Sequence, residues 1–205
     1  MTGAARPLLV IISGAPGAGK TTLGRAISGR LGLPFLSKDE LKEAIGDELG
    51  VPSDVAASQR LGLAAYRILY SVAARILESG GGAVIESNFR RGQSEPELRS
   101  IVELADARLV HCSAAAETIQ ARYAERYQRG DRHPVHLDAQ RADVLADDLS
   151  RGRFEPLDLD VPRLVVATDD GYEPGLEEIL TFLGTEVTVG TGAGVARGRI
   201  LVAQP

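Results

Sequence analysis

Gly14-Ala15-Pro16-Gly17-Ala18-Gly19-Lys20-Thr21 fits the spacing G-x-x-x-x-G-K-[ST]. Each residue type there has a chemical reason. Small residues let the backbone curl around a phosphate without Cβ clashes. The resulting nest of N–H groups, and the start of a following helix, attract anions. Lys20 is placed to reach the β- and γ-phosphates of a nucleotide, and the Thr21 hydroxyl to meet Mg²⁺. The candidate nucleotide-binding residues are therefore Gly14, Ala15, Pro16, Gly17, Ala18, Gly19, Lys20, Thr21 and Thr22. Lys20 is expected to be a surface loop residue whose packing contributes little.

Three further groups could act on a bound phosphate. Asp39 is a candidate base for a hydroxyl that attacks it; the competing reading is a first-turn carboxylate favoured by the helix dipole. Lys42 lies three residues on and shares a helix face with Asp39, as a substrate contact or as an ordinary solvated lysine. Glu86, Asn88 and Arg90 form the second group. Glu86 could hold a magnesium-bound water or orient an acceptor, or it could pair with Arg90 or Arg91. The third group is a stripe of Arg122, Arg126 and Arg129 at i, i+4 and i+7, followed by Arg132. Between Gln120 and His133 these four arginines face only Glu125 and Asp131, a local excess of two positive charges. Such a stripe reads as a lid that binds phosphate bidentately, expels water and stabilises developing charge. A solvated face with pairs such as Arg122–Glu125 and Arg129–Asp131 is the plainer alternative.

These groups need elements to hold them. Leu8 to Ile12 is a continuous apolar run, the pattern of a strand buried on both faces. Lys20 to Leu31 has a helical stripe. Pro34 to Leu36 reads as a second strand, and Ser37 with Glu40 as a capping box. Val55 to Glu78 reads as one long helix, its apolar line running Leu61, Ala65, Ile68, Leu69, Val72 and Ile76, ended by Gly80-Gly81-Gly82. Ala83 to Glu86 is a third strand. Glu95 to Leu104 is a helix with Ser94 and Glu97 at capping-box spacing, and Ala107 to Cys112 a fourth strand. Ser113 is expected to cap a helix reaching Gln128. A polar loop spans 129–136, a helix 137–149, a fifth strand 162–167 and a last helix 173–183. Strands alternating with helices imply an α/β fold with a parallel sheet covered on both faces.

Composition narrows the function. The chain has 205 residues, 44% apolar and 25% charged, the balance of a globular domain. A net charge of −5 disfavours a nucleic-acid coat protein. No apolar run approaches the 18 residues of a membrane span, and Leu8 to Ile12 is too short for a signal peptide. Cys112 is the single cysteine, so no intrachain disulfide forms, and a reducing, cytoplasmic setting is expected. It reads as a small core residue. His133 and His136 flank Pro134 and read as substrate contacts or plain loop rather than as a zinc site. Tyr66 and Tyr70, one turn apart, read as core packing, with the lining of an acceptor pocket as the alternative. From Gly184 the composition shifts to Gly, Thr and Val, so the expected domains are 1–184 and a tail or hairpin at 185–205.

No N-K-x-D run marks a guanine-nucleotide switch, and the third strand ends Val84-Ile85-Glu86-Ser87 rather than with the Asp-Glu of a AAA+ motor. The chain instead resembles the small P-loop kinases that include chloramphenicol phosphotransferase, zeta-toxin-type kinases and the kinase domain of polynucleotide kinase. The likeness covers roughly residues 7 to 183. It rests on the loop at 14–21, Ser37-Lys38-Asp39, Glu86-Ser87-Asn88, and Glu125-Arg126 with Arg129-Gly130-Asp131-Arg132. It implies a P-loop NTPase fold with a five-stranded parallel sheet, helices on both faces and an arginine-rich lid. It also implies an ATP- and Mg²⁺-dependent kinase that transfers the γ-phosphoryl group to a hydroxyl of a small molecule. Lys20, Asp39, Arg126 and Arg129 would be catalytic. Arg122, Arg126 and Arg132 would contact ATP; Thr21 and Glu86 would meet the metal; Asp39, Lys42, Glu86, Asn88 and Arg90 would meet the acceptor. Related polynucleotide kinases carry Arg where this chain has Lys42, which weakens the polynucleotide 5′-hydroxyl kinase alternative. A non-enzymatic ATP-binding switch is the other rival.

Overall fold

The first strand explains the layering. Leu9, Val10, Ile11 and Ile12 are all fully buried. In an extended chain alternate side chains point to opposite faces, so one strand feeds two cores. Leu9 and Ile11 pack with Leu69, Ala73, Leu77, Leu98 and Ile101, whereas Val10 and Ile12 pack with Leu23, Ile27, Ile119 and Ile179. Each of the Val, Leu and Ile side chains among them contributes about 1.5–3 kcal/mol on burial. The computed structural model describes residues 6–129, 133–137 and 142–184.

In chain order the elements are β1 Leu8–Gly14, α1 Lys20–Leu31, β2 Phe35–Ser37, α2 Lys38–Leu49, α3 Val55–Glu78, β3 Ala83–Glu86, α4 Glu95–Val102, β4 Asp106–Ser113, α5 Ala116–Arg129, a single 3₁₀ turn Pro134–His136, α6 Ala142–Ser150, β5 Arg163–Ala167 and α7 Leu176–Phe182. The five strands form one parallel sheet in the order β2-β3-β1-β4-β5. The expected P-loop NTPase architecture is therefore the one observed. From β1 the chain goes to the β2 side, and from β3 it goes to the β4 side. The strand order thus reverses between β1 and β3, and open parallel sheets bind ligands at such a crevice, outside the carboxyl ends of the strands. Among the described residues no helix is long and apolar enough to cross a membrane.

Several local expectations are corrected. Ser37 does not cap α2 with its side chain. It ends β2, in register with Glu86, and its hydroxyl donates to the Glu86 carboxylate at 2.8 Å. Ser94 forms no cap bond either; its hydroxyl accepts from Arg90 N–H at 3.0 Å. Ser113 is still strand, and the start of α5 is held by Asp169, which accepts from Ala115 N–H at 2.9 Å. The polar loop and the helix from 137 are displaced: Pro134–His136 forms its own turn, Leu137 is left-handed, and α6 is described only from Ala142. Glu173 does not start α7. It bridges back to Ala167 with two backbone bonds of 2.8 and 3.0 Å, and Pro174-Gly175 postpones the helix. The buried line of α3 runs Ser58, Gly62, Ala65, Leu69, Ala73 and Leu77, leaving Ile68 and Val72 39% and 38% exposed. Small residues at 65 and 73 let α3 approach its neighbours, a factor that apolar periodicity does not weigh. The 185–205 tail lies outside the described residues.

Two glycines of α1 make opposite predictions. A Cβ on Gly24 would lie 2.5 Å from Phe35 Cε2 and 3.1 Å from Ile12 Cδ1, whereas one on Gly29 meets nothing within 4 Å. Gly24→Ala is expected to destabilise the fold by about 1–3 kcal/mol through overpacking. Gly29→Ala is expected to stabilise it by up to about 1 kcal/mol through helix propensity. Urea unfolding of both variants checks the pair.

Candidate active site

The loop after β1 is built around three glycines at positive φ. Gly14 (φ 139°), Gly17 (φ 86°) and Gly19 (φ 74°) occupy backbone conformations that L side chains rarely adopt. At Gly14 a Cβ would also sit 2.3 Å from the Cys112 carbonyl oxygen. Gly19 is the N-cap of α1 and supplies no side-chain cap. The first N–H groups of α1 thus have no side-chain acceptor at the cap, the condition for an anion site.

Lys20 is not the surface residue expected from its loop position. It is 5% exposed. Its ammonium donates to the Ala15 carbonyl at 2.8 Å and lies 4.0 Å from Glu86 Oε1. Tucked back on its own loop, it is aimed at the concavity a phosphate would fill. Glu86 ends β3 and gathers the neighbouring elements: Ser37 Oγ donates to Oε2 at 2.8 Å and Thr21 Oγ1 to the same oxygen at 3.4 Å. Burial pushes the Lys20 ammonium below its ordinary pKa, with nearby Glu86 opposing. Burial likewise pushes the Glu86 carboxyl up, with Lys20 opposing. Neither Arg90 nor Arg91 pairs with Glu86. Arg90 pairs with Asp148 instead.

Three adjoining cavities run along this edge of the sheet. The central one, about 210 Å³, is lined by the glycine loop with Lys20, Thr21, Thr22, Asp39, Glu86, Asn88 and Arg126. A second, about 630 Å³, shares Gly17, Gly19, Thr22 and Arg126 with it and adds Arg122, Arg129, Thr168 and Tyr172. The third, about 550 Å³, shares Pro16, Asp39 and Asn88 with the central one and extends along α3 past Lys42, Tyr66, Tyr70 and Arg90. Asp39 and Asn88 therefore stand on the boundary between the central and the α3-side cavity. Lys38 is tied to Asp39 at 3.1 Å.

The arginine stripe separates into different environments. The Arg122 guanidinium is held by the carbonyls of Gly17 (3.3 Å), Thr168 (2.5 Å) and Asp169 (3.1 Å), not by Glu125. Arg126 lines both the central and the second cavity. Arg129 pairs with Glu125 on an exposed surface of α5. Arg132 and Asp131 lie outside the described residues.

Lys42 is neither solvated nor at the surface. It is 1% exposed and donates to Ser58 Oγ at 2.6 Å, and that hydroxyl donates on to the Val135 carbonyl at 2.8 Å. His136 contacts Glu43 at 2.8 Å and His133 contacts Asp47 at 3.0 Å, so both clasp α2. Tyr66 and Tyr70 are not only core. Their rings stack with centroids 5.8 Å apart, and the Tyr66 hydroxyl is 2.8 Å from Ser87 Oγ. The sequence motifs assign no site role to Ser37, Ser58, Gly62, Ser87, Tyr123 or Phe154, which line or brace these cavities. The i, i+4, i+8 spacing of Gly62, Tyr66 and Tyr70 was the available signal for the α3 wall. Cys112 is buried as expected, and burial pushes its thiol up to about 12.

The donor set fits magnesium. Thr21 and Glu86 offer two oxygens 3.4 Å apart beside the phosphate concavity. Among the described residues no group of three or more His, Cys, Asp or Glu gathers as a metal cage. Mg²⁺ does not need one, since it is commonly held by one or two protein oxygens together with substrate phosphates.

Two predictions follow from this electrostatic layout. His111 lies behind the loop, with Nδ1 3.0 Å from Ser13 Oγ. Burial, then the Lys20 and Arg163 charges, lower its pKa from 6.5 to about 4. The unfolded chain therefore binds this proton at a higher pH than the folded one. Its contribution is fully present above pH 6.5 and is lost as pH falls toward 4, amounting at most to about 3 kcal/mol. His111→Gln is expected to flatten the fall in urea stability between pH 7 and pH 4; an unchanged slope rejects the assignment. The second concerns the stripe. Arg126→Ala is expected to weaken nucleotide binding at least tenfold more than Arg129→Ala, because Arg129 is exposed and already paired. Calorimetric titration with a nucleotide triphosphate checks it.

The comparisons agree with this geometry. A protein from Chloroflexus aurantiacus J-10-fl, provisionally described as a kinase, has a crystal structure that superposes with a TM-score of 0.78. It is 36% identical, over 87% of this chain and 97% of its own. The shikimate kinase of Salinispora tropica is 31% identical over 149 residues, 69% of this chain and 89% of the relative. That of Colwellia psychrerythraea is 27% identical over 165 residues, 78% and 87% respectively. Residues 9–150, from the core of β1 through α6, match the AAA domain family AAA_33; with the glycine loop, the parallel sheet and the relatives in agreement, the chain belongs to that family of P-loop proteins.

Proposed function

We propose that this chain is an ATP- and Mg²⁺-dependent kinase that transfers the γ-phosphoryl group to a hydroxyl of a small molecule. One observation carries the reading. Asp39 and Asn88 form the wall shared by the phosphate-sized cavity and the larger α3-side cavity. A hydroxyl reaching that boundary from the α3 side meets a carboxylate and a phosphate concavity together. The similarity to shikimate kinases, small-molecule kinases by name, supports it. The single cysteine, buried in the core, suits a reducing cytoplasm.

In this mechanism the nucleotide's polyphosphate lies over the N-terminus of α1 and the loop N–H groups. Its base and sugar extend into the cavity bounded by Arg122, Thr168 and Tyr172. Thr21 and Glu86 would hold magnesium, whose charge would offset that of the phosphates. Asp39 orients the acceptor hydroxyl and takes its proton. The acceptor oxygen bonds to the γ-phosphorus as the bond from that phosphorus to the bridging oxygen of ADP breaks. Lys20 swings from the Ala15 carbonyl to the phosphates, and with Arg126 it stabilises charge on the transferring group. Arg122 keeps α5 against the loop, so that Arg126 projects over the phosphates. Alignment and charge stabilisation supply the catalysis, with no covalent enzyme intermediate.

The test is phosphoryl transfer from labelled ATP to a panel of sugars, nucleosides, antibiotics and 5′-hydroxyl oligonucleotides. Asp39→Asn is expected to lower kcat/KM for an accepted alcohol by about 100-fold or more, with the KM for ATP within a few-fold of wild type. Release of only ADP and free phosphate across the panel would point to a switch. Efficient, salt-sensitive labelling of the oligonucleotide would point to a polynucleotide kinase.

A further inference from the structure

Aromatic residues are scarce in this chain: five Tyr, four Phe and no Trp in 205 residues. Four of those nine, Tyr66, Tyr70, Tyr123 and Phe154, line the α3-side cavity, with Leu145 beside them. They come from α3, from α5 and from the segment after α6, so the fold concentrates its aromatic surface there from separate parts of the chain. At about 550 Å³ the cavity is far larger than the 210 Å³ phosphate concavity and has the size of a site for a drug-sized molecule.

Charge argues in the same direction. Lys38 is tied to Asp39, Arg90 to Asp148, and Lys42 donates to Ser58. Three of the four Lys and Arg side chains of the lining are thus engaged within the protein, Arg67 being the fourth, which gives a polyanionic acceptor little to grip.

A glycine makes room for such a molecule. Glycine within a helix is unfavourable relative to alanine, so a buried one needs a reason. Gly24 and Gly46 have one in packing: a Cβ would come within 2.5 Å of Phe35 and 2.7 Å of Val135. Gly62 is also buried within its helix, yet the nearest atoms to a Cβ there are Lys38 Nζ at 3.7 Å and Cε at 3.9 Å. That is ordinary contact with a flexible side chain. Gly62 lines the α3-side cavity one turn before Tyr66 and two before Tyr70.

Resting on the kinase reading of this site, we propose that the acceptor is an amphiphilic alcohol, a hydroxyl joined to a planar aromatic or similarly apolar body, and that Gly62 is the residue that admits that body. The hydroxyl stands at Asp39 and the ring lies along α3 against Tyr66 and Tyr70. Aromatic surfaces offer both apolar area and favourable ring contacts, which a compact polyol cannot exploit.

The experiment uses the full chain with Mg²⁺ and labelled ATP, and alcohols in matched pairs: methyl and phenyl β-glucoside, glycerol and 3-phenoxy-1,2-propanediol, ribose and adenosine. The expected result is a kcat/KM at least tenfold higher for the aryl member of each pair that is turned over. Gly62→Leu is expected to collapse that ratio below threefold. Gly62→Ala, raising the melting temperature, serves as the folded control should the leucine variant fail to fold, and it should lower the ratio in part. Equal or reversed ratios in the wild type, or a ratio that survives Gly62→Leu, overturn the proposal while leaving the kinase reading standing. If no alcohol is phosphorylated, the kinase reading fails, and saturation-transfer NMR decides the rest. Binding of phenyl β-glucoside but not methyl β-glucoside, abolished by Gly62→Leu, upholds the aromatic site. Binding of neither overturns it.

Discussion

A buried carboxylate holds the functional edge of this molecule together. Glu86 is 5% exposed, and a charge in that position is costly unless it is paired and hydrogen-bonded. Its partners come from two elements: Ser37 at the end of β2, and Lys20 and Thr21 in the first turn of α1. In the sheet it stands level with Ser37 on one side and Ile12 on the other. Satisfying one side chain therefore draws the carboxyl ends of three adjacent strands into a common plane. Asp39 lies two residues beyond Ser37, and Asn88 two beyond Glu86. Both reach the same cavity boundary because the node beneath them is closed.

The parts of the site legible in the sequence were those whose chemistry is local. The glycine loop carries its meaning in eight consecutive residues, and alternating strands and helices announce a parallel sheet. Asp39, Glu86 and Asn88 could be placed at one edge because each directly follows or ends a strand. What could not be read depended on distant partners. Ser37 has the spacing of a cap, yet its hydroxyl serves a carboxylate 49 positions away. Lys42 looks like a solvated lysine until Ser58 and the Val135 carbonyl, 77 positions apart, enclose it. The arginines of α5 share a face as their spacing requires, but a helix face is wider than a cavity. One of them is engaged by carbonyls, one lines the two cavities beside the glycine loop, and one is paired at the surface.

The segment 133–137 shows how a remote stretch can complete a pocket. It grips α2 through His133 to Asp47 and His136 to Glu43, and Val135 fills the space that Gly46 leaves open. Ser58 of α3 donates to the same Val135 carbonyl while accepting from Lys42. Two helices and one turn are thereby locked at the end of the cavity away from the phosphate loop. The position of Asp39, near the start of α2, is consequently fixed from both ends of that helix: by the Glu86 node below and by the histidine pair further along.

The sheet order also has a consequence for how the chain reaches its native state. The strand that launches the phosphate loop, residues 8–14, pairs in the sheet with residues 83–86 and 106–113. During synthesis it must wait for roughly a hundred residues to follow it out of the ribosome, an interval of about 5–20 s at typical translation rates. Until then a run of five consecutive aliphatic side chains has no sheet to join, and its pairing is non-local and slow by nature. The segment most committed to nucleotide chemistry is thus the strand of the sheet that waits longest between its own synthesis and its completed pairing.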